Sequence, residues 1–116
     1  MKKKIICFDL DNVLCKTSNN DYKKSKPIKK NINTLNKLYQ NGFYIKIFTA
    51  RCMGRNNDNI NKAKKQAYKI TLSQLKKWNV NYNKLIFGKP SFDIYIDDKS
   101  LFFKKHWSRK LEKKLL

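Results

Sequence analysis

Acidic residues are scarce in this chain: 8 Asp and Glu stand against 28 Lys and Arg, giving a formal net charge of +20. There is one histidine, and the three cysteines (Cys7, Cys15 and Cys52) show no CxxC or Cys/His spacing. That argues against a thiolate or imidazole metal site and against a disulfide framework. The cysteines are expected to be reduced thiols, with Cys7 a small core residue. No apolar run is long enough to span a bilayer, and the initial KKK is followed by only four apolar residues before Asp9. Neither a membrane span nor a secretory signal is expected, and the location implied is cytoplasmic.

The charge has two readings. Basic chains bind nucleic acid. Yet 25 of the 28 cations are Lys, spread along the sequence and accompanied by abundant Asn and Ile. Codon drift in an AT-rich genome gives that bias, and most of the lysines are then a solvated surface.

With 116 residues, 41% hydrophobic and 13% aromatic, the chain can bury one core, so residues 1–116 are expected to form a single domain. KIICFD (4–9), FYIKIFT (43–49), KLIFG (84–88) and DIYID (93–97) read as strands. CKTSNNDYKKSKP after the first strand reads as a polar loop or flap. Ile28, Ile32, Leu35, Leu38 and Tyr39 follow helical spacing up to Gly42. A second helical stretch carries Ile60, Ala63, Ala67 and Tyr68, and Thr71 is placed as the cap of a further turn with Leu72, Leu75 and Trp78. The basic tail from Ser100 reads as an amphipathic helix. Strands alternating with helices predict an α/β fold, a mostly parallel sheet with helices on both faces.

The few acids are not scattered. Five of the 8 lie in two short stretches, Asp9 and Asp11 in FDLDNV and Asp93, Asp97 and Asp98 in DIYIDD. In an open parallel sheet, ligands bind beyond the carboxyl ends of the strands. Asp9, Thr49, Lys89 and the pair Asp97/Asp98 fall at or just past those ends. Clustered carboxylates need a cation, and an all-oxygen set suits Mg²⁺ with a phosphate. A lysine and a threonine hydroxyl can grip phosphoryl oxygens, and an aspartate can attack phosphorus. In an extended segment, residues i and i+2 share a side, so Asp9 and Asp11 can both face one phosphorus.

DLDNV resembles the first motif, DxDx[TV], of the haloacid dehalogenase superfamily. Thr49 in IFTAR, Lys89 in GKP and the IDD ending at Asp98 are similar to its second, third and fourth motifs, in order, over residues 5 to about 104. The combination TAR…TLSQLKKW…FGKP…IYIDDK resembles the small phosphatases of bacterial capsule and surface-polysaccharide biosynthesis. The resemblance implies a Rossmann-like three-layer sandwich. It makes Asp9 nucleophile and Mg²⁺ ligand, and has Asp11 bind the metal through its carbonyl and serve as acid and base through its side chain. Thr49 and Lys89 would hold the phosphoryl group. Asp97 and Asp98 would complete the metal site, with Asp98 the direct ligand. Because Asp11 is present, it implies a phosphatase rather than a dehalogenase.

Arg51 and Arg55 in TARCMGR read either as binders of an anionic part of the substrate or as exposed loop residues. Tyr22 lies in the flap, where it could brush the substrate, whereas Asp93, Cys52 and His106 read as bystanders. Only 37 residues separate Asp11 from Thr49, which leaves no room for a cap domain. The site is then open, and a homo-oligomer is expected to cover it. The substrate implied is a small phosphorylated metabolite, a sugar phosphate or polysaccharide precursor. A nucleic-acid end phosphatase and a basic binding module with a degenerate site are the alternatives.

Overall fold

The computed structural model describes residues 4–116. Strands β1 (Ile5–Asp9), β4 (Tyr44–Thr49) and β5 (Lys84–Phe87) form a parallel sheet in the order β1-β4-β5. Register pairs Ile6 with Ile45, Phe8 with Ile47, and Thr49 with Phe87. Helices α1 (Lys29–Gln40) and α2 (Ile60–Lys77) make the crossovers, and α3 (Trp107–Leu115) closes the chain. The α/β class and mostly parallel sheet read from the sequence are therefore present. The loop after β1 is more ordered than a flap: β2 (Cys15–Lys16) and β3 (Lys26–Pro27) pair antiparallel.

Alternation in the strands fixes where the core lies. Phe8, Ile45 and Ile47 are buried, and they join Ile32, Leu35 and Leu38 of α1 and Trp107 and Leu111 of α3 in one cluster. Phe8 and Trp107 stack at a tilt, with ring centroids 6.1 Å apart. Cys7, expected in the core, is exposed. It alternates out of phase with Phe8, so β1 turns it away from the buried side.

Helix α2 is continuous, and Thr71 does not cap a separate turn. Ala63, Ala67, Thr71 and Leu75 recur every four residues and are all buried, which makes Thr71 one step of a single stripe. The start of α2 is capped by Asn59, whose side chain accepts the Lys62 N–H at 3.1 Å.

The expected strand at 93–97 is not formed, and β1 is an edge of the sheet. Ile94 and Ile96 are 80% and 93% exposed. Local contacts replace the ladder. Phe92 and Tyr95 meet edge to face at 4.8 Å, and the Lys99 N–H closes onto Asp97 Oδ1 at 2.8 Å. The tail becomes helical only at Trp107, not from Ser100. Among the described residues, no helix is long and apolar enough to cross a membrane.

Candidate active site

The chain turns sharply after β1. Asn12 takes the left-handed conformation (φ 65°), which asparagine tolerates better than most residues. The Leu10 carbonyl accepts from the N–H groups of Val13, Leu14 and Cys15. Leu10 and Leu14, fully buried, anchor the turn in the core. Asp9 and Asp11 are left lining one cleft of about 310 Å³, together with Tyr22, Arg55, Lys89 and Phe92.

Lys89 reaches this cleft because Gly88 bends the chain at φ +99°. A Cβ at Gly88 would lie 3.0 to 3.2 Å from the side chain of Ile60. The Lys89 N–H then bonds the Thr49 carbonyl at 3.1 Å, and its Nζ lies 3.3 Å from Asp9 Oδ2. The rings of Phe92 and Tyr95 back the ammonium at 5.5 and 5.1 Å. Asp9 Oδ1 accepts the Leu10 N–H at 2.8 Å. Burial pushes the Asp9 pKa above the ordinary carboxylate value, while Lys89 and the Leu10 N–H pull it back.

Thr49 is fully buried, and its hydroxyl oxygen accepts the Arg51 N–H at 3.1 Å. Arg51 is not an exposed loop residue and does not line the cleft: its side chain is 0% exposed. Its guanidinium forks onto Asp11, with Nε 3.2 and 3.1 Å from Oδ1 and Oδ2 and a terminal nitrogen 3.0 Å from Oδ1. Its other terminal nitrogen donates to Thr71 Oγ1 at 3.1 Å and Gln74 Oε1 at 2.6 Å. Thr17 Oγ1 also donates to Asp11 Oδ1, at 2.6 Å. Arg55 is exposed at the cleft, 5.5 Å from the Tyr22 ring, and donates to the Asn20 carbonyl.

The structure thus brings Asp9, Asp11, Lys89 and Arg55 to one cleft and places Thr49 directly behind it. It does not bring Asp97 and Asp98 there. Both sit in the exposed turn that replaces the expected strand, outside the residues lining the cleft. Among the described residues, no group of three or more His, Cys, Asp or Glu is arranged to hold a metal. Of the expected metal set, Asp9 and Asp11 line the cleft and are the residues that would hold an ion there, while Asp97 and Asp98 do not complete it.

Sequence reasoning missed Thr17, Gln74 and Gly88, and misplaced Thr71. One signal was available. Only Arg51, Arg55 and Arg109 are Arg among 28 cations. In a lysine-dominated chain, an arginine marks a place where a planar fork is needed.

No protein-family model matches the chain, and no curated protein sequence does. Solved structures do. A structural-genomics target from Vibrio cholerae is 29% identical, with a TM-score of 0.79 over 96% of this chain and 98% of that one. A chain of the Pnkp1/Rnl/Hen1 complex is 19% identical, with a TM-score of 0.54 over 84% of this chain and 30% of that one. The D,D-heptose 1,7-bisphosphate phosphatase from B. bronchiseptica, solved with magnesium and phosphate, is 14% identical, with a TM-score of 0.52 over 96% of this chain and 63% of that one. The chain thus spans less than two thirds of the latter two. What it shares with them is the fold, a parallel α/β sheet with crossover helices.

Proposed function

We propose that the protein is a Mg²⁺-dependent phosphomonoesterase that works through an aspartyl-phosphate on Asp9. The observation that carries this reading is the Asp9–Lys89 pair at the mouth of β1, with a second carboxylate, Asp11, two residues on in the same cleft. Asp9 attacks phosphorus, Lys89 offsets the charge on the phosphoryl oxygens, and Asp11 passes a proton to the departing oxygen. Asp11 then takes a proton from the water that releases phosphate. Thr49 supports the floor of the site.

Mg²⁺ enters the proposal on two grounds. Asp9 and Asp11 bring two carboxylates to one cleft, and the similarly folded heptose bisphosphate phosphatase was solved with magnesium. The ion would neutralise charge on the phosphate beside Asp9.

The substrate proposed is a small sugar phosphate or polysaccharide precursor. The active form proposed is a homo-oligomer whose neighbouring subunit covers the open cleft. A nucleic-acid end phosphatase is the second reading, favoured by the +20 charge and by the likeness to a chain of an RNA repair complex. A phosphate-release screen over sugar phosphates, nucleotides and 3′- or 5′-phosphorylated oligonucleotides separates the two. Preference for a small ester supports the first, and a preference of about tenfold or more for oligonucleotide ends, persisting at physiological salt, supports the second. No release from any ester leaves the basic binding module.

A further inference from the structure

Arg51 is the most enclosed cation near the cleft, and everything it touches leads to Asp11 or to the elements framing it. We propose that Arg51 is a positioning residue that directs the transferable proton of Asp11 to Oδ2. The proposal rests on the phosphomonoesterase reading above.

The two oxygens of Asp11 have unequal partners. Oδ1 accepts from Thr17 Oγ1 at 2.6 Å, from an Arg51 terminal nitrogen at 3.0 Å and from Arg51 Nε at 3.2 Å, with Cys15 Sγ at 3.5 Å. Among the described residues, Oδ2 receives only the shared Arg51 Nε–H, at 3.1 Å. A carboxylate oxygen offers about two lone-pair sites, so Oδ1 is filled and Oδ2 keeps room for a proton. The fork cannot rotate to even this out. Thr71 and Gln74 hold its far nitrogen, and the Gln74 amide donates to the Tyr22 carbonyl at 2.6 Å. Ser25 Oγ, 2.6 Å from Thr17 Oγ1, leaves the Thr17 hydroxyl hydrogen for Asp11 by donating its own.

In the first step, an Asp9 oxygen bonds to phosphorus as the ester P–O bond breaks. The electron pair of that bond stays on the ester oxygen, which takes the proton from Asp11 Oδ2 and leaves as the alcohol. In the second, Asp11 removes a proton from water, the water oxygen bonds to phosphorus, and the acyl-phosphate P–O bond breaks. Asp9 is restored as a carboxylate, and inorganic phosphate leaves with the proton returned. The Arg51 side chain is not among the residues lining the cleft, so in this proposal its guanidinium acts through Asp11.

The test uses the full chain with p-nitrophenyl phosphate, whose leaving group needs no proton, and glycerol phosphate, whose leaving group does. Arg51→Met should lose about 10²- to 10⁴-fold in kcat/KM, which reports transfer to Asp9, on glycerol phosphate and less than about tenfold on the aryl ester. Arg51→Lys, which keeps the charge without the fork, should behave like Arg51→Met. Gln74→Leu, which leaves Arg51 in place, should show the same leaving-group bias with a smaller loss. In an Asp11→Asn background, Arg51→Met should cost no more than about a further twofold. A readout independent of catalysis is exchange at the Arg51 Nε–H, expected to be slow in the wild type and fast in Asp11→Asn. Equal losses on both esters, additive losses with Asp11→Asn, or fast Nε–H exchange in the wild type would overturn the role of Arg51 and leave the phosphatase reading standing. A wild type that released no phosphate from any ester would overturn both.

Discussion

Lys89 Nζ stands 3.3 Å from Asp9 Oδ2, while the backbone N–H of the same lysine extends the sheet by bonding the Thr49 carbonyl at 3.1 Å. One residue therefore ties the ends of all three parallel strands to the charge of the proposed nucleophile. Lys89→Ala should cost about 2.7 to 4 kcal/mol of transition-state stabilisation, as loss of one preorganised electrostatic partner does. The measurement is kcat/KM on an aryl phosphate. An unchanged value would make Lys89 one more surface lysine.

Gly88→Ala should act on the same site through the backbone. The position combines φ +99° with a Cβ path 3.0 Å from Ile60. A non-glycine residue there carries about 1–3 kcal/mol of strain, or it moves the chain and Lys89 with it. Thermal unfolding should show reduced stability, and kcat should fall. Adding Ile60→Ala should relieve the contact but not the backbone strain, giving partial recovery.

These residues differ in how far the sequence revealed them. The three strands of the parallel sheet were legible because apolar β formers run uninterrupted between polar stretches, and Asp9, Asp11, Thr49 and Lys89 stand at or just beyond their ends. The same signal misled at 93–97: Ile94 and Ile96 alternate as in a strand, yet aromatic and turn contacts take their place. Threonine favours caps, which suggests a break at Thr71, but its spacing from Ala63 and Ala67 continues the stripe. Arg51 reads from the sequence as either a substrate binder or an exposed loop residue, because arginine is seldom buried. Only its partners on α2 and beyond β1 reveal otherwise, and no local pattern announces Gln74.

Helix α3 is fastened to α1 through Glu112. Its Oε2 accepts from Thr34 Oγ1 at 2.6 Å, and its Oε1 lies 3.0 Å from Lys37 Nζ. The Thr34 hydrogen bond first, and then Lys37, hold its pKa below the ordinary value. A depressed carboxylate pKa stabilises the fold above the unfolded-state pKa, and the gain is lost as pH falls through the folded-state pKa. Glu112→Gln should therefore lower the Tm at neutral pH, and the gap should close in strong acid. The ion pair faces solvent, so its share is about 0.2–1 kcal/mol. A gap that widened in acid would contradict the assignment.

Chelation tests the metal. Phosphate release should stop in EDTA and return when Mg²⁺ is added in excess. Full turnover in chelator would leave Lys89 as the countercharge of Asp9 and remove Mg²⁺ from the account.

The central claim is that phosphate passes through Asp9, and acid-quenched mass spectrometry during turnover tests it most directly. The account predicts a phosphoryl increment on the peptide containing Asp9, sensitive to hydroxylamine, and both the increment and steady-state turnover absent in Asp9→Asn. Undiminished phosphate release by Asp9→Asn, with its mass confirmed, would contradict it.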